Sequence, residues 1–159
     1  MKIFIEDFKK ALRSLLRHEV KFMVIGGYAV IYYGYDRNTG DMDFWLEPSE
    51  ENKIRFVDAM RDFGIMEEQL HEMLKLKFTE AQMFYFGKEP RRIDFLTKIS
   101  GIQFDEAYLK KIEVSVDDLK VPVIYYHHLI LSKISNGRTQ DKADIEELQR
   151  INMRRKNPY

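Results

Sequence analysis

The sequence predicts an α+β (α/β) fold: a mixed β-sheet flanked by helices, with a helix pair at its C-terminal end. Three observations predict it. Segments whose apolar residues recur at helical spacing alternate with short apolar or alternating runs that read as strands. Their order is helix, strand, helix, strand, helix, strand pair, helix, strands and two helices, which suits a sheet covered by helices. The 159 residues, 45% hydrophobic and 33% charged, suffice for one domain with a buried core, expected to take in the whole chain, 1–159.

Taken in order, Phe4, Phe8, Leu12, Leu15 and Leu16 recur at helical spacing and predict an amphipathic first helix. Phe22–Ile25 is a short apolar run ending at Gly26-Gly27 and reads as a buried strand. Tyr28–Tyr33 follows as a short helix stopped by Gly34, and Tyr35–Gly40 is a loop. From Asp41 the chain alternates: Met42, Phe44 and Leu46 take one face, and Asp41, Asp43, Trp45 and Glu47 take the other. This is a half-buried strand whose second face is expected to be open. Ser49 is a natural N-cap for the next helix, with Ile54, Val57, Met60 and Phe63 as its stripe and Gly64 as its end.

Residues 65–79 show no clear period; Met66, His71 and Met73 there are candidate pocket liners. Gln82–Phe86 and Ile93–Leu96 flank the Gly87–Pro90 turn and read as a hairpin. A short helix over Phe104–Lys111, strands at Val114–Val116 and Val121–Tyr125, and helices at His127–Ile134 and Asp141–Ile151 complete the pattern. The Arg154-Arg155-Lys156 tail is expected to fray.

Lys plus Arg equals Asp plus Glu at 26 each, which weighs against a dedicated non-specific nucleic-acid binder. With no cysteine, disulfides and cysteine-held zinc are impossible. The N-terminus lacks a signal-peptide pattern, and no run approaches a membrane span of roughly 18 apolar residues. A cytoplasmic chain with no membrane role is the expectation. The four histidines show no zinc spacing, and there is no G-x-S-x-G turn or Walker A motif.

The chemistry concentrates in three carboxylates. Asp41 and Asp43, two apart on a strand, point the same way about 6–7 Å apart along the chain. Asp94, on a later strand, can close a cluster beside them. Like charges so placed repel by about 3 kcal/mol per pair at ~5 Å and an effective dielectric near 20, so a fold keeps such a cluster mainly when a divalent cation occupies it. A D-x-D motif alone is more often a solvated face; the combination with Gly26-Gly27, a loop bearing Arg37 and Thr39, and a third strand acid is much less common by chance. The glycine pair has two readings: a tight strand-to-helix turn, or a place where phosphates approach the backbone at a helix N-terminus. Metal plus phosphate suggests nucleotidyl transfer.

Lys133 falls on the apolar face of its helix, and Asp141 and Asp144 face inward from the last helix. Lys133 and Arg138 are candidates to hold a triphosphate, with the two acids orienting them. A structural ion pair is the other reading, and the better one for Asp144. Tyr28, Tyr32, Tyr33, Tyr35 and Trp45 could stack a base, but core packing is the commoner use of such spacing.

Gly26-Gly27, Thr39-Gly40-Asp41-Met42-Asp43, Ile93-Asp94-Phe95 and Lys133-(x)4-Arg138-(x)2-Asp141-(x)2-Asp144 resemble the motifs of the polymerase-beta-like nucleotidyltransferase superfamily. The likeness is to its small bacterial branch of AbiEii-type toxins and lincosamide or aminoglycoside nucleotidyltransferases, over roughly residues 20–150. Many members carry Gly-Ser where this chain has Gly26-Gly27; the missing hydroxyl contact then falls to the backbone or Thr39. The resemblance implies a Mg²⁺-dependent transfer of an NMP from an NTP to an acceptor hydroxyl on RNA, protein or a small molecule, in a toxin–antitoxin setting or in drug modification. Asp41, Asp43 and Asp94 would hold two Mg²⁺ ions. Gly26, Gly27, Arg37, Thr39, Lys133 and Arg138 would bind the nucleotide in a monomer or homodimer. The alternative is a non-catalytic descendant that serves as a binding module.

Overall fold

In a computed structural model that describes residues 5–159, helix α1 (Glu6–Arg17) buries Phe8, Ala11, Leu12 and Leu15 along one side. Phe4, assigned above to that stripe, lies outside the described residues. Strand β1 (Phe22–Ile25) is buried throughout, and α2 (Gly26–Tyr32) starts directly at its end. Strand β2 (Asp41–Leu46) leads to α3 (Glu50–Phe63), where Ser49 Oγ accepts the Asn52 N–H at 3.1 Å and Gly64 closes the helix at φ +111°.

Residues 65–79, left without a period above, form α4 (Glu67–Leu74), which buries only Leu70 and Met73. The hairpin strands are β3 (Met83–Phe86) and β4 (Arg92–Leu96). Then come α5 (Phe104–Leu109), β5 (Ile112–Val116), β6 (Leu119–Val123), α6 (Tyr126–Asn136) and α7 (Thr139–Met153). Together they make an α+β fold on one six-stranded mixed sheet, ordered β3-β4-β2-β1-β6-β5. The β2–β4 and β1–β6 pairs are parallel and the other three antiparallel.

One sheet face is apolar. Phe44, Phe95 and Phe84 stack across three strands, and Phe56 of α3 closes on Phe95 at 4.8 Å between centroids. Asn52 is fully buried but satisfied: its amide donates to the Lys21 and Glu47 carbonyls and accepts the Lys21 N–H. That pins the start of α3 to both central strands.

Three expectations are corrected. Ile54 is 58% exposed, because α3 turns Phe56, Ala59 and Met60 to the sheet instead. The second face of β2 is open only at its acidic end: Trp45 is 1% exposed, donates Nε1–H to the Thr97 carbonyl at 3.1 Å and meets Phe104 edge-on. The tail does not fray, since Tyr159 stacks on Tyr126 and Arg155 donates to the Tyr33 carbonyl while lying over the Tyr159 ring. Tyr28 and Tyr33 are buried too, so these aromatics with Trp45 are core rather than a base platform.

Candidate functional site

The acids meet because of strand register. In the parallel β2–β4 ladder Asp43 lies beside Asp94 and Asp41 beside Arg92. Side chains alternate along each strand, so all four groups rise on the face opposite the Phe44–Phe95 stack. Asp41, Asp43 and Asp94 each bring a carboxylate oxygen within 4.8 Å of the others'. Arg92 is the fourth corner: its Nε donates to Asp94 Oδ1 at 2.6 Å and one terminal nitrogen donates to Oδ2 at 3.2 Å. Its guanidinium lies 4.2 Å from the Tyr85 ring centre, and Tyr85 is the β3 neighbour of Asp94.

Crowding is written into the electrostatics. Burial pushes the Asp43 carboxyl up to about 7, with the charges of Asp41 and Asp94 adding to the rise and Lys133 opposing it. Burial also raises Asp41, with Asp94 next in effect. Three hard oxygen donors this close, with Asp41 and Asp43 hindered in their ionisation, fit a divalent cation, whose charge relieves the repulsion.

The glycines serve these neighbours. Gly26 sits at φ +66°, and a Cβ there would lie 2.0 Å from Asp43 Oδ2. A Cβ on Gly27 would lie 2.5 Å from Thr39 Oγ1. Gly26 thus makes the tight left-handed turn, and the space a side chain would fill at either glycine is taken by Asp43 or Thr39. Gly26→Ala is expected to lower stability by at least about 2 kcal/mol from backbone strain plus the clash, read as a lower midpoint in urea; an unchanged midpoint would discard this account of the turn.

Across a cleft of about 830 Å³ stand the cations. Lys133 is 4% exposed, with Nζ 2.8 Å from Asp144 and 3.4 Å from Asp141, both acids fully buried. Arg37 grips Asp144 with two bonds of 2.8 and 2.9 Å. Arg138 donates to Asp141 from its guanidinium at 2.7 and 3.1 Å, and Asp141 also accepts the Arg138 backbone N–H, capping α7. Burial drives Asp144 upward, but the bonds from Arg37 and Lys133 hold it below the usual carboxylate range; Asp141 is held low in the same way by Arg138 and Lys133. Three cations against two acids leave this wall net positive, facing three carboxylates. Such a wall suits phosphates.

The cleft therefore gathers Gly26, Gly27, Arg37, Thr39, Asp41, Asp43, Asp94, Lys133 and Arg138, the residues singled out in the sequence for metal and nucleotide. Lys133 is ion-paired, as the structural reading has it, and it also lines the cleft. Residues 65–79 line none of it; Ala81, Met83, Leu96 and Ile99 form that side instead. Sequence reasoning passed over Arg92, although its place two residues before Asp94 on a strand puts both on one face.

This mixed sheet, with its acids and glycine turn at one end, has the fold of nucleotidyltransferases. It superimposes on the lincosamide antibiotic adenylyltransferase LnuA, solved with lincomycin bound, with a TM-score of 0.54 at 14% identity over 94% of this chain and 98% of that one. A Thermotoga maritima protein provisionally described as a nucleotidyltransferase gives 0.52 at 11% identity over 90% of each chain. At these identities the likeness is one of fold. The chain belongs to the family described as "Nucleotidyl transferase of unknown function (DUF2204)", which spans residues 4–157. No curated protein matches the sequence. Among the described residues no helix is long and apolar enough to cross a membrane.

Proposed function

We propose that this chain, as one unit, transfers an NMP from an NTP to an acceptor hydroxyl with the help of Mg²⁺. The observation that carries the reading is the convergence of Asp41, Asp43 and Asp94 oxygens within 4.8 Å opposite the Lys133–Arg37–Arg138 wall. Asp41 and Asp43 would hold two Mg²⁺ ions, with Asp94 completing the site of one; when bound they neutralise the triphosphate and lower the pKa of the acceptor hydroxyl. Lys133 and Arg138 draw the phosphates to their side of the cleft, with Arg37, Thr39 and the Gly26-Gly27 turn lining it beside them.

Ala81, Met83, Leu96 and Ile99 give the acceptor an apolar floor beside the acids. Attack of its oxygen forms a new bond to the α-phosphorus and breaks the bond to pyrophosphate, which leaves; Asp94 takes the hydroxyl proton. Catalysis is mainly by positioning and charge neutralisation. An acceptor in RNA or protein goes with a toxin–antitoxin role and a small-molecule acceptor with drug modification, and both lie within this reading. The implied compartment is the cytoplasm.

Thermal melts with each of the four NTPs, with and without Mg²⁺, test it. An NTP at roughly 100 times its dissociation constant stabilises by about 2.7 kcal/mol, or roughly 5–10 °C for a chain of this size. A Mg²⁺-dependent rise with at least one NTP is the expected result. A flat response to all four, with and without the ion, counts for the non-catalytic module.

A further inference from the structure

Arg92 is the charged group on the acid face that nucleotidyl transfer does not call on. It occupies a corner of the same square as the acids, beside Asp41 by register and bonded to both oxygens of Asp94. The Asp94 side chain is 5% exposed, so Arg92 is its principal charge partner in a place where an unpaired carboxylate would be costly. The Arg92 side chain itself is 29% exposed and rests on Tyr85, whose ring is largely open to solvent. It can therefore leave Asp94 without unpacking the core.

Resting on the metal-dependent reading above, we propose that Arg92 is a built-in counter-cation. It holds the third acid in place in the metal-free chain and competes with the divalent ion for Asp94. The reason is geometric and electrostatic. Both Asp94 oxygens carry a guanidinium hydrogen bond, so an ion that takes either oxygen displaces a bond or sits against a positive charge. Arg92 also opposes the Asp41–Asp94 repulsion, the task an ion would take over. Its stack on Tyr85 keeps the displaced guanidinium on the same face, over β3. Ion loading is thereby held back in the free chain and favoured once triphosphate charge enters the cleft. Arg92 is a positioning residue in this scheme.

The test titrates Mn²⁺ into the full chain, reading free ion by electron paramagnetic resonance, for wild type, Arg92→Ala, Arg92→Lys and Asp43→Asn. Arg92→Ala is expected to bind Mn²⁺ roughly five- to thirty-fold tighter, the scale of one partly buried ion pair. Its metal-free melting temperature should fall, and the rise on adding Mn²⁺ should exceed that of wild type. Arg92→Lys keeps the charge without the two-pronged fork, so it should lie between the two; it also serves if Arg92→Ala does not fold. Binding lost in Asp43→Asn but equal or weaker in the Arg92 variants overturns the competition and leaves the metal site standing. Wild-type binding that does not depend on Asp43 overturns the metal reading and the role of Arg92 with it.

Discussion

Asp43→Asn is expected to cut nucleotidyl transfer by roughly 10³-fold or more, since it removes a ligand for the charge that stabilises the transition state, while the metal-free fold becomes more stable at neutral pH. The two effects have one cause. Asp43, half-buried on β2 beside the end of β1, is partly desolvated and crowded by Asp41 and Asp94, so its carboxyl is pushed up to about 7 from an ordinary 3.8. Between those pH values the folded chain holds a proton that the unfolded chain has lost. Stability is then full below the lower value and declines as pH rises through the upper one.

Metal-free wild type should accordingly melt higher near pH 5 than near pH 8, and Asp43→Asn should flatten that slope. At about pH 8 the variant should gain roughly 1–3 kcal/mol, a few degrees of melting temperature. Calorimetric melts at both pH values, alongside a transfer assay, read the two effects separately. Near-wild-type transfer by the variant would end the metal assignment. A drop in its melting point at about pH 8 would end the crowding argument.

Lys133→Met is expected to cost about 3 kcal/mol or more at neutral pH, because it strips a buried cation from two buried carboxylates. Both Asp141 and Asp144 are fully buried, and Lys133 reaches each of them. Arg138 and Arg37 still hold one acid apiece, which keeps the loss near the lower end of the range for such pairs. For a chain of this size that is a fall of roughly 6–12 °C.

The pH dependence runs the other way from Asp43. The two acids are held below their ordinary range in the native chain, so their contribution is present at neutral pH and fades as pH drops toward and below 3.8. Losing Lys133 lets both rise. The gap between wild type and variant should therefore narrow as pH falls from about 7 toward about 4. Urea midpoints at the two ends measure it; a variant as stable as wild type at neutral pH would show that Arg37 and Arg138 alone satisfy both acids. Transfer should fall as well, since Lys133 lines the cleft.

Much of this was legible in residue order alone, wherever the deciding forces are local. Period and punctuation determine the elements: Ser49 and Gly64 bound α3 because an N-cap acceptor and a left-handed C-cap act within a few residues. Alternation along β2 puts Asp41 and Asp43 on one face whatever the strand packs against, and the inward placement of Lys133, Asp141 and Asp144 follows from helical spacing. Only the tertiary structure decided what no local rule contains. The β2–β4 register sets Asp43 against Asp94 and Arg92 against Asp41, across some fifty residues of chain. The docking of α5 closes the Trp45 end of a face that alternation left open, and the turn of α3 exposes Ile54. Packing chooses which apolar side of an element is covered, and register chooses which charges become neighbours. Both are sums over distant parts of the chain, so the sequence supplies the groups of this site while the sheet supplies their distances.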